Sequence, residues 1–235
     1  MSKITKKIRA FVGGVKNKYL LQKYQRNNSL HVERSVYKNL RLEIYGKNNI
    51  LIINNVHLTF DTIIEINIHG DNNVIEINDV FIREKLTLQF GQKHPNFGSI
   101  RYHKLRIQPG TSIESMQYVT YNSNAECSIG KNCMLSSDIL LYNTDAHAIL
   151  EYSSGKLTNY VQGIYIGDHC WIGQSVKIMK NTVIPSDSII GAFSLVCGKL
   201  VCEHSIYAGI PAKLIKSNRT WDANGKKHGY IDNVF

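Results

Sequence analysis

From Ile166 the chain reads IGDHCW, IGQSVK, IMKNTV, IPSDSI, IGAFSL and VCGKLV through Val201, a succession of hexads without a slip. The first positions are Ile166, Ile172, Ile178, Ile184, Ile190 and Val196. The second is often glycine, at Gly167, Gly173 and Gly191, and the fifth is small or medium: Cys170, Val176, Thr182, Ser188 and Ser194. A period of six matches neither an amphipathic helix at about 3.6 residues nor a half-buried strand at about two. It matches a solenoid whose coil has three flat faces, each supplying one short strand and one corner. The aliphatic first position then points to the axis of the prism and the small fifth residue fits beside it. Glycine is expected to permit the turn at the corner.

The register extends upstream with interruptions. Ile107, Ile113, Val119 and Ala125 are spaced by six, as are Ile129, Leu135 and Leu141. Earlier still, IYGKNNILIINNV (44–56) and IHGDNNVIEINDV (68–80) repeat with a period of 24, Asn48-Asn49 matching Asn72-Asn73. Residues 142–165 break the pattern and are expected to leave the prism as a loop. This divides the chain into a basic extension (1–40), a parallel β-helix (41–217) and an irregular tail (218–235).

Composition sets outer limits. The 235 residues are 43% apolar and 20% charged, which excludes a disordered chain, and no apolar run reaches the roughly 18–20 residues of a membrane-spanning helix. The basic N-terminus lacks the continuous apolar stretch and cleavage site of a signal peptide. Five cysteines, an odd number with no C-x-x-C pair, point to free thiols in a reducing compartment. The expectation is a soluble cytoplasmic protein.

The net charge of +10 is localised. Residues 1–42 carry eleven Lys and Arg against Glu33 alone, leaving 17 basic and 17 acidic side chains in the rest. Such a block attracts an anionic partner or forms a solvated face. Ile4, Ile8, Phe11 and Val15 within it follow helical spacing, so a short amphipathic helix is expected there. Peripheral association with an anionic membrane or an acidic polysaccharide would suit it. Nucleic-acid binding lacks interleaved aromatics beyond Tyr19 and Tyr24 and any recognised motif.

Four further pieces, NTDAHAI (143–149), GKLTN (155–159), IGDHCWIG (166–173) and GAFSLVCGKL with YAGIPAKLIK (191–200, 207–216), carry a resemblance. The chain resembles the left-handed parallel β-helix, hexapeptide-repeat acyltransferases, most closely the bacterial O-acetyltransferases that modify capsular or lipopolysaccharide sugars. The resemblance implies acetyl-CoA as donor, a polysaccharide hydroxyl as acceptor and a homotrimer with sites between subunits. Left-handedness is implied in the same way.

The chemistry asks for a base to take the hydroxyl proton and for donors to an oxyanion. His147 is the histidine in the loop that leaves the solenoid beside its most regular coils, with Asp145 two residues away to fix its tautomer or to shape the loop. The resemblance places the general base there. It places Trp171, on an outward sixth position, at the acetyl site, and Asn159 and Tyr142 on the acceptor side. For the CoA arm and phosphates it implies Gly173, Gly191, Ala192, Cys197, Lys199, Gly209, Pro211, Lys213 and Lys216, together with Trp171. The family commonly reads V-T-K where this chain has Val196-Cys197-Gly198 before Lys199, which leaves open which lysine meets the phosphates. A metal is not expected: the γ-class carbonic anhydrases of this fold need three histidines on zinc, and the closest pair here, His94 and His103, is nine residues apart outside the clean hexads. Cys133 and Cys170 fall on the small inward position, as buried thiols. Alternatives are an acetyltransferase acting on a small sugar or amino sugar, and a non-catalytic binding solenoid.

Overall fold

A computed structural model describes residues 19, 21–92 and 99–224. The amphipathic stripe from Ile4 to Val15 and residues 225–235 of the tail lie outside the described residues. The rest is a parallel β-helix. A seven-stranded sheet forms its first face, and a fourteen-stranded sheet wraps around the second and third.

Through the clean hexads each coil advances 18 residues: Ile166 pairs with Ile184, Ile172 with Ile190 and Ile178 with Val196, one pair on each face. All six first-position aliphatics are buried, and so are Cys170, Val176, Thr182, Ser188 and Ser194 at the fifth. Upstream coils are longer. Ile50 pairs with Val74, the spacing of 24 read from the sequence, and Val74 with Lys104. The ladder includes Ser29–Val32, which pairs with Ile50–Ile53 on the first face. At the other end Ser205–Gly209 continues the second face and Ala212–Ser217 folds back antiparallel on it. No helix among the described residues is long and apolar enough to cross a membrane.

The corners correct one expectation. The left-handed conformation is taken not by the second-position glycines but by the fourth residue of the first five hexads: His169, Ser175, Asn181, Asp187 and Phe193 all have φ between 53° and 60°, while the sixth uses Gly198 at its third position. Asn and Asp tolerate this region best, which accounts for Asn48, Asn72, Asn124 and Asn132 at corners upstream. The glycines answer to space instead. A Cβ on Gly173 would sit 2.7 Å from the Ala192 nitrogen, and one on Gly167 2.5 Å from that of Ser186. At Gly167 and Gly173 the next coil stacks too closely to admit a Cβ.

The asparagine pairs have separate tasks. Asn48 and Asn72 make the turn, while Asn49 and Asn73 are fully buried and stack: Asn73 Nδ2 donates to Asn49 Oδ1 at 3.0 Å, and Asn49 Nδ2 to Asn28 Oδ1 at 3.0 Å. The ladder ends on His103, whose backbone N–H donates to Asn73 Oδ1 at 3.1 Å. Cys133 and Cys170 are buried as expected and stacked, the Cys170 amide donating to the Cys133 sulfur at 3.5 Å. Cys127 is also buried, and burial pushes its thiol pKa well up.

Candidate active site

The third-face strand Ile139–Tyr142 ends where the chain leaves the prism, and it returns on the first face at Gly163–Ile166. The excursion is anchored at its root. Asn143 and Thr144 are buried, and Asn143 Nδ2 donates to the Tyr118 hydroxyl at 3.0 Å. Tyr118 in turn meets His103 Nε2. Because His103 Nδ1 lies 3.1 Å from the Asn122 carbonyl, which can only accept, Nδ1 carries the proton. Nε2 is then the acceptor and Tyr118 donates to it. Burial pushes the His103 pKa down to about 4, so the ring is neutral and the chain of bonds keeps one polarity.

Beyond the root the loop is folded around one carboxylate. Asp145 Oδ2 accepts from Asn159 Nδ2 at 2.7 Å and pairs with the Lys180 ammonium at 2.8 Å. The same Asn159 amide group donates to the His147 carbonyl at 2.8 Å, and its Oδ1 accepts from the Ile149 N–H at 2.8 Å. Lys180 also donates to the Asn159 carbonyl at 3.2 Å. Burial opposes ionisation of Asp145, but the Lys180 ammonium and the Asn159 amide outweigh it and hold the carboxyl below its ordinary pKa. Asp145 is therefore a fixed anion that shapes the loop, not a proton acceptor at neutral pH.

The result of that folding is the presentation of His147. The His147 N–H donates to the Asp145 carbonyl at 2.7 Å across Ala146, whose φ is +62°. This is the tight three-residue turn that non-glycine residues rarely adopt, and such strain collects at functional sites. Exposed His147 lines a cavity of about 300 Å³ together with Tyr121, Asn122, Thr144, Asp145 and Asn159.

The other predicted residues lie elsewhere on the prism. Trp171 faces outward on the second face, paired with Met134 and Ile189 and 37% exposed, and it does not line the His147 cavity. Gly173, Gly191, Ala192 and Gly209 follow the strands of that same face, and Lys213 and Lys216 sit on the terminal hairpin beside Ala208 and Ile206. Cys197 is exposed, and Lys199 bridges to Val183 on the first face, apart from the hairpin lysines. Tyr142 is half-buried on the third face. One chain thus brings together His147, Asp145 and Asn159, and separately the second-face group around Trp171.

No protein-family model matches the chain. Over 117 residues it is 30% identical to a polysialic acid O-acetyltransferase of Neisseria meningitidis, a match covering 50% of this chain and 54% of that one. Over 98 residues it is 34% identical to a polysialic acid O-acetyltransferase of Escherichia coli O1:K1 / APEC, covering 42% of this chain and 32% of the relative. The matches therefore span about half and about a third of these relatives. The solved structure of the polysialic acid O-acetyltransferase OatWY matches over 88% of this chain and 93% of that one, with 25% identity and a TM-score of 0.70. The chain has the fold of these O-acetyltransferases. The left-handed coil implied by the sequence resemblance is that of this fold.

Three residues of this fold escaped sequence reading. Lys180 lies immediately after Met179, which pairs with Tyr142. It is placed under the loop by register, and counting a coil of 18 plus the inserted loop would have found it. His103 reads in the sequence only against a metal site, since its partners Tyr118 and Asn122 are joined to it by the fold. Trp221 carried no signal, because the tail has no repeat; its indole N–H donates to the His169 carbonyl at 2.8 Å.

Proposed function

We propose that the protein is an acetyl-CoA-dependent O-acetyltransferase acting on a hydroxyl of a bacterial surface polysaccharide, with His147 as general base. The observation that carries the reading is the loop 143–162, in which Asp145 and Asn159, with Lys180 from the coil beneath, hold an exposed histidine in the lining of a cavity. A binding solenoid has no use for a strained turn under an exposed imidazole. The relatives' names, polysialic acid O-acetyltransferase, support both the reaction and the acceptor class.

In this reading the His147 imidazole takes the acceptor hydroxyl proton as the sugar oxygen attacks the thioester carbonyl. The C–O bond forms and the C–S bond breaks, and His147 returns the proton to the departing CoA thiolate. The Trp171 indole N–H is a donor suited to the oxyanion. The second-face corner, kept bare at Gly173 and Gly191, fits an extended pantetheine arm, and Lys213 and Lys216 fit phosphates as mobile cations. His147 and Trp171 belong to different faces of one prism, so a complete site takes the two from adjacent subunits. A homotrimer, with peripheral attachment through the basic N-terminus to an anionic surface in the cytoplasm, completes the proposal.

The test is acceptor-dependent thiol release from acetyl-CoA by purified protein, with polysialic acid and other acidic and neutral bacterial polysaccharides as acceptors. His147→Ala is expected to lower kcat by roughly 10²–10⁴-fold with assembly and melting unchanged. Full activity in that variant would remove His147 from the mechanism.

A further inference from the structure

On the corner between the first and second faces, successive coils present His169, Asp187 and His204, each in the left-handed conformation. His169 Nδ1 meets Asp187 Oδ1 at 2.7 Å, whereas His204 Nδ1 stands 3.9 Å from Oδ2, beyond hydrogen-bond distance. One oxygen of Asp187 is thus committed and the other keeps acceptor capacity. Trp221, from the segment after the terminal hairpin, crosses this corner. Its ring stacks on His169 at 4.6 Å with an interplanar angle of 10°, and it stands 6.2 Å from Trp171 at 47°. Three aromatic rings therefore run in series from the corner on to the second face, ending on Trp171.

Core packing does not account for this arrangement. None of the three rings is buried, and the Trp221 N–H is already satisfied by the His169 carbonyl, so what Trp221 exposes is apolar ring. An aromatic surface bordered by a carboxylate oxygen and an imidazole is complementary to a pyranose. The C–H face of the sugar lies against indole, and its hydroxyls donate to the carboxylate and exchange hydrogen bonds with the imidazole. A phosphate or an acyl chain would not use Asp187.

We infer that Trp221, Trp171, His169 and Asp187 form a subsite for one pyranose ring of the acceptor glycan, adjacent to the acetyl-transfer position. The inference rests on the reading of Trp171 as part of an O-acetyltransferase site and adds Trp221 and Asp187 as acceptor-positioning residues. Neither is asked to take part in proton transfer.

The test measures glycan binding and kinetics side by side on the full chain. Binding of polysialic acid oligomers and of a neutral dextran oligomer, without acetyl-CoA, is followed by calorimetry for wild type, Trp221→Ala, Trp221→Phe and Asp187→Asn. Because the chain has two tryptophans, emission of Trp171→Phe reports on Trp221 alone. The expected result is saturable binding of one probe, weakened about tenfold by Trp221→Ala and about threefold by Asp187→Asn, with Trp221→Phe close to wild type. The acceptor KM rises in parallel while the acetyl-CoA KM and kcat stay within about twofold. Wild type that binds neither probe, or Trp221→Ala that binds like wild type, overturns the subsite. So does an acetyl-CoA KM that rises as much as the acceptor KM. Should Trp221→Ala fail to fold, Trp221→Phe and Asp187→Asn carry the same comparison. Glycan binding that depends on Trp221 without acetyl transfer would sink the enzymatic reading and leave the subsite. Acetyl transfer with an unchanged acceptor KM would do the reverse.

Discussion

Replacing Lys180 by methionine keeps an unbranched apolar stem and removes the terminal ammonium and its charge. In the folded protein the ammonium holds Asp145 Oδ2 at 2.8 Å and the Asn159 carbonyl at 3.2 Å, with side-chain exposures of 17% for Lys180 and 27% for Asp145. Hydrogen bonds to charged groups contribute about 1.5–3 kcal/mol, and breaking a fully buried ion pair costs about 3–5. This pair is partly buried and Asp145 keeps the Asn159 amide, so a loss of about 2 kcal/mol is expected, confined to the loop. Two kcal/mol is roughly a 30-fold shift in the balance between ordered and open loop. The Ile149 amide, which donates to Asn159 Oδ1, should then exchange with deuterium roughly 30-fold faster, while the Ile172 amide deep in the ladder is unaffected. Acetyl transfer follows the ordered fraction and should fall by much less than this factor.

The same variant has a signature in pH. Asp145 has a folded pKa below its unfolded one, so its contribution is complete above the ordinary carboxylate range. That contribution is lost as pH falls through the lowered folded value. Without Lys180, burial acts with less opposition and the Asp145 pKa rises. The acid-side loss of loop order, read from Ile149 exchange against pH, therefore begins at higher pH in Lys180→Met. Unchanged Ile149 exchange at neutral pH together with an unmoved acid-side loss would refute the argument that Lys180 holds the loop through Asp145.

Other consequences can be measured directly. Since the folded His103 pKa is about 4 against an ordinary 6.5, the unfolded chain binds the extra proton between those values. Stability is then full above about pH 6.5 and falls by on the order of 3 kcal/mol as pH drops to about 4, a slope that urea titrations should find flattened in His103→Gln. Ile172→Ala, at a fully buried axial position, should cost about 2–5 kcal/mol by the same titration. Gly173→Ala should cost about 1–3 kcal/mol, because its Cβ meets backbone of the next coil at 2.7 Å; a neutral effect would contradict the spatial reading of that glycine. In thiol labelling of the native protein, exposed Cys197 should react first, and buried Cys127, Cys133 and Cys170 only on unfolding.

What could be read from the sequence follows from how each feature is encoded. Hexads write their fold locally: a buried aliphatic every six residues and a small residue four further on specify a face and a coil without reference to anything distant. Coils of 24 are nearly as clear, because Asn48-Asn49 and Asn72-Asn73 repeat both the turn and the buried ladder. The glycines misled because a short residue beside a corner has two explanations, conformational freedom and lack of space, and only the neighbouring coil distinguishes them. The site divides along the same line. His147, Asp145 and Asn159 share one inserted loop and announce themselves by interrupting the period. Lys180 is no neighbour of theirs in the chain, and it meets them because Tyr142 pairs with Met179 across the insertion. In a solenoid such a meeting is fixed by register rather than by motif. Whatever follows Met179 must lie beneath the residues that leave Tyr142, and a cation there determines the ionisation of the loop's carboxylate. Trp221 obeys neither rule, since it reaches His169 from a segment with no period. The base of the proposed site can therefore be found by counting, whereas the ring that would choose its sugar can be found only in the folded chain.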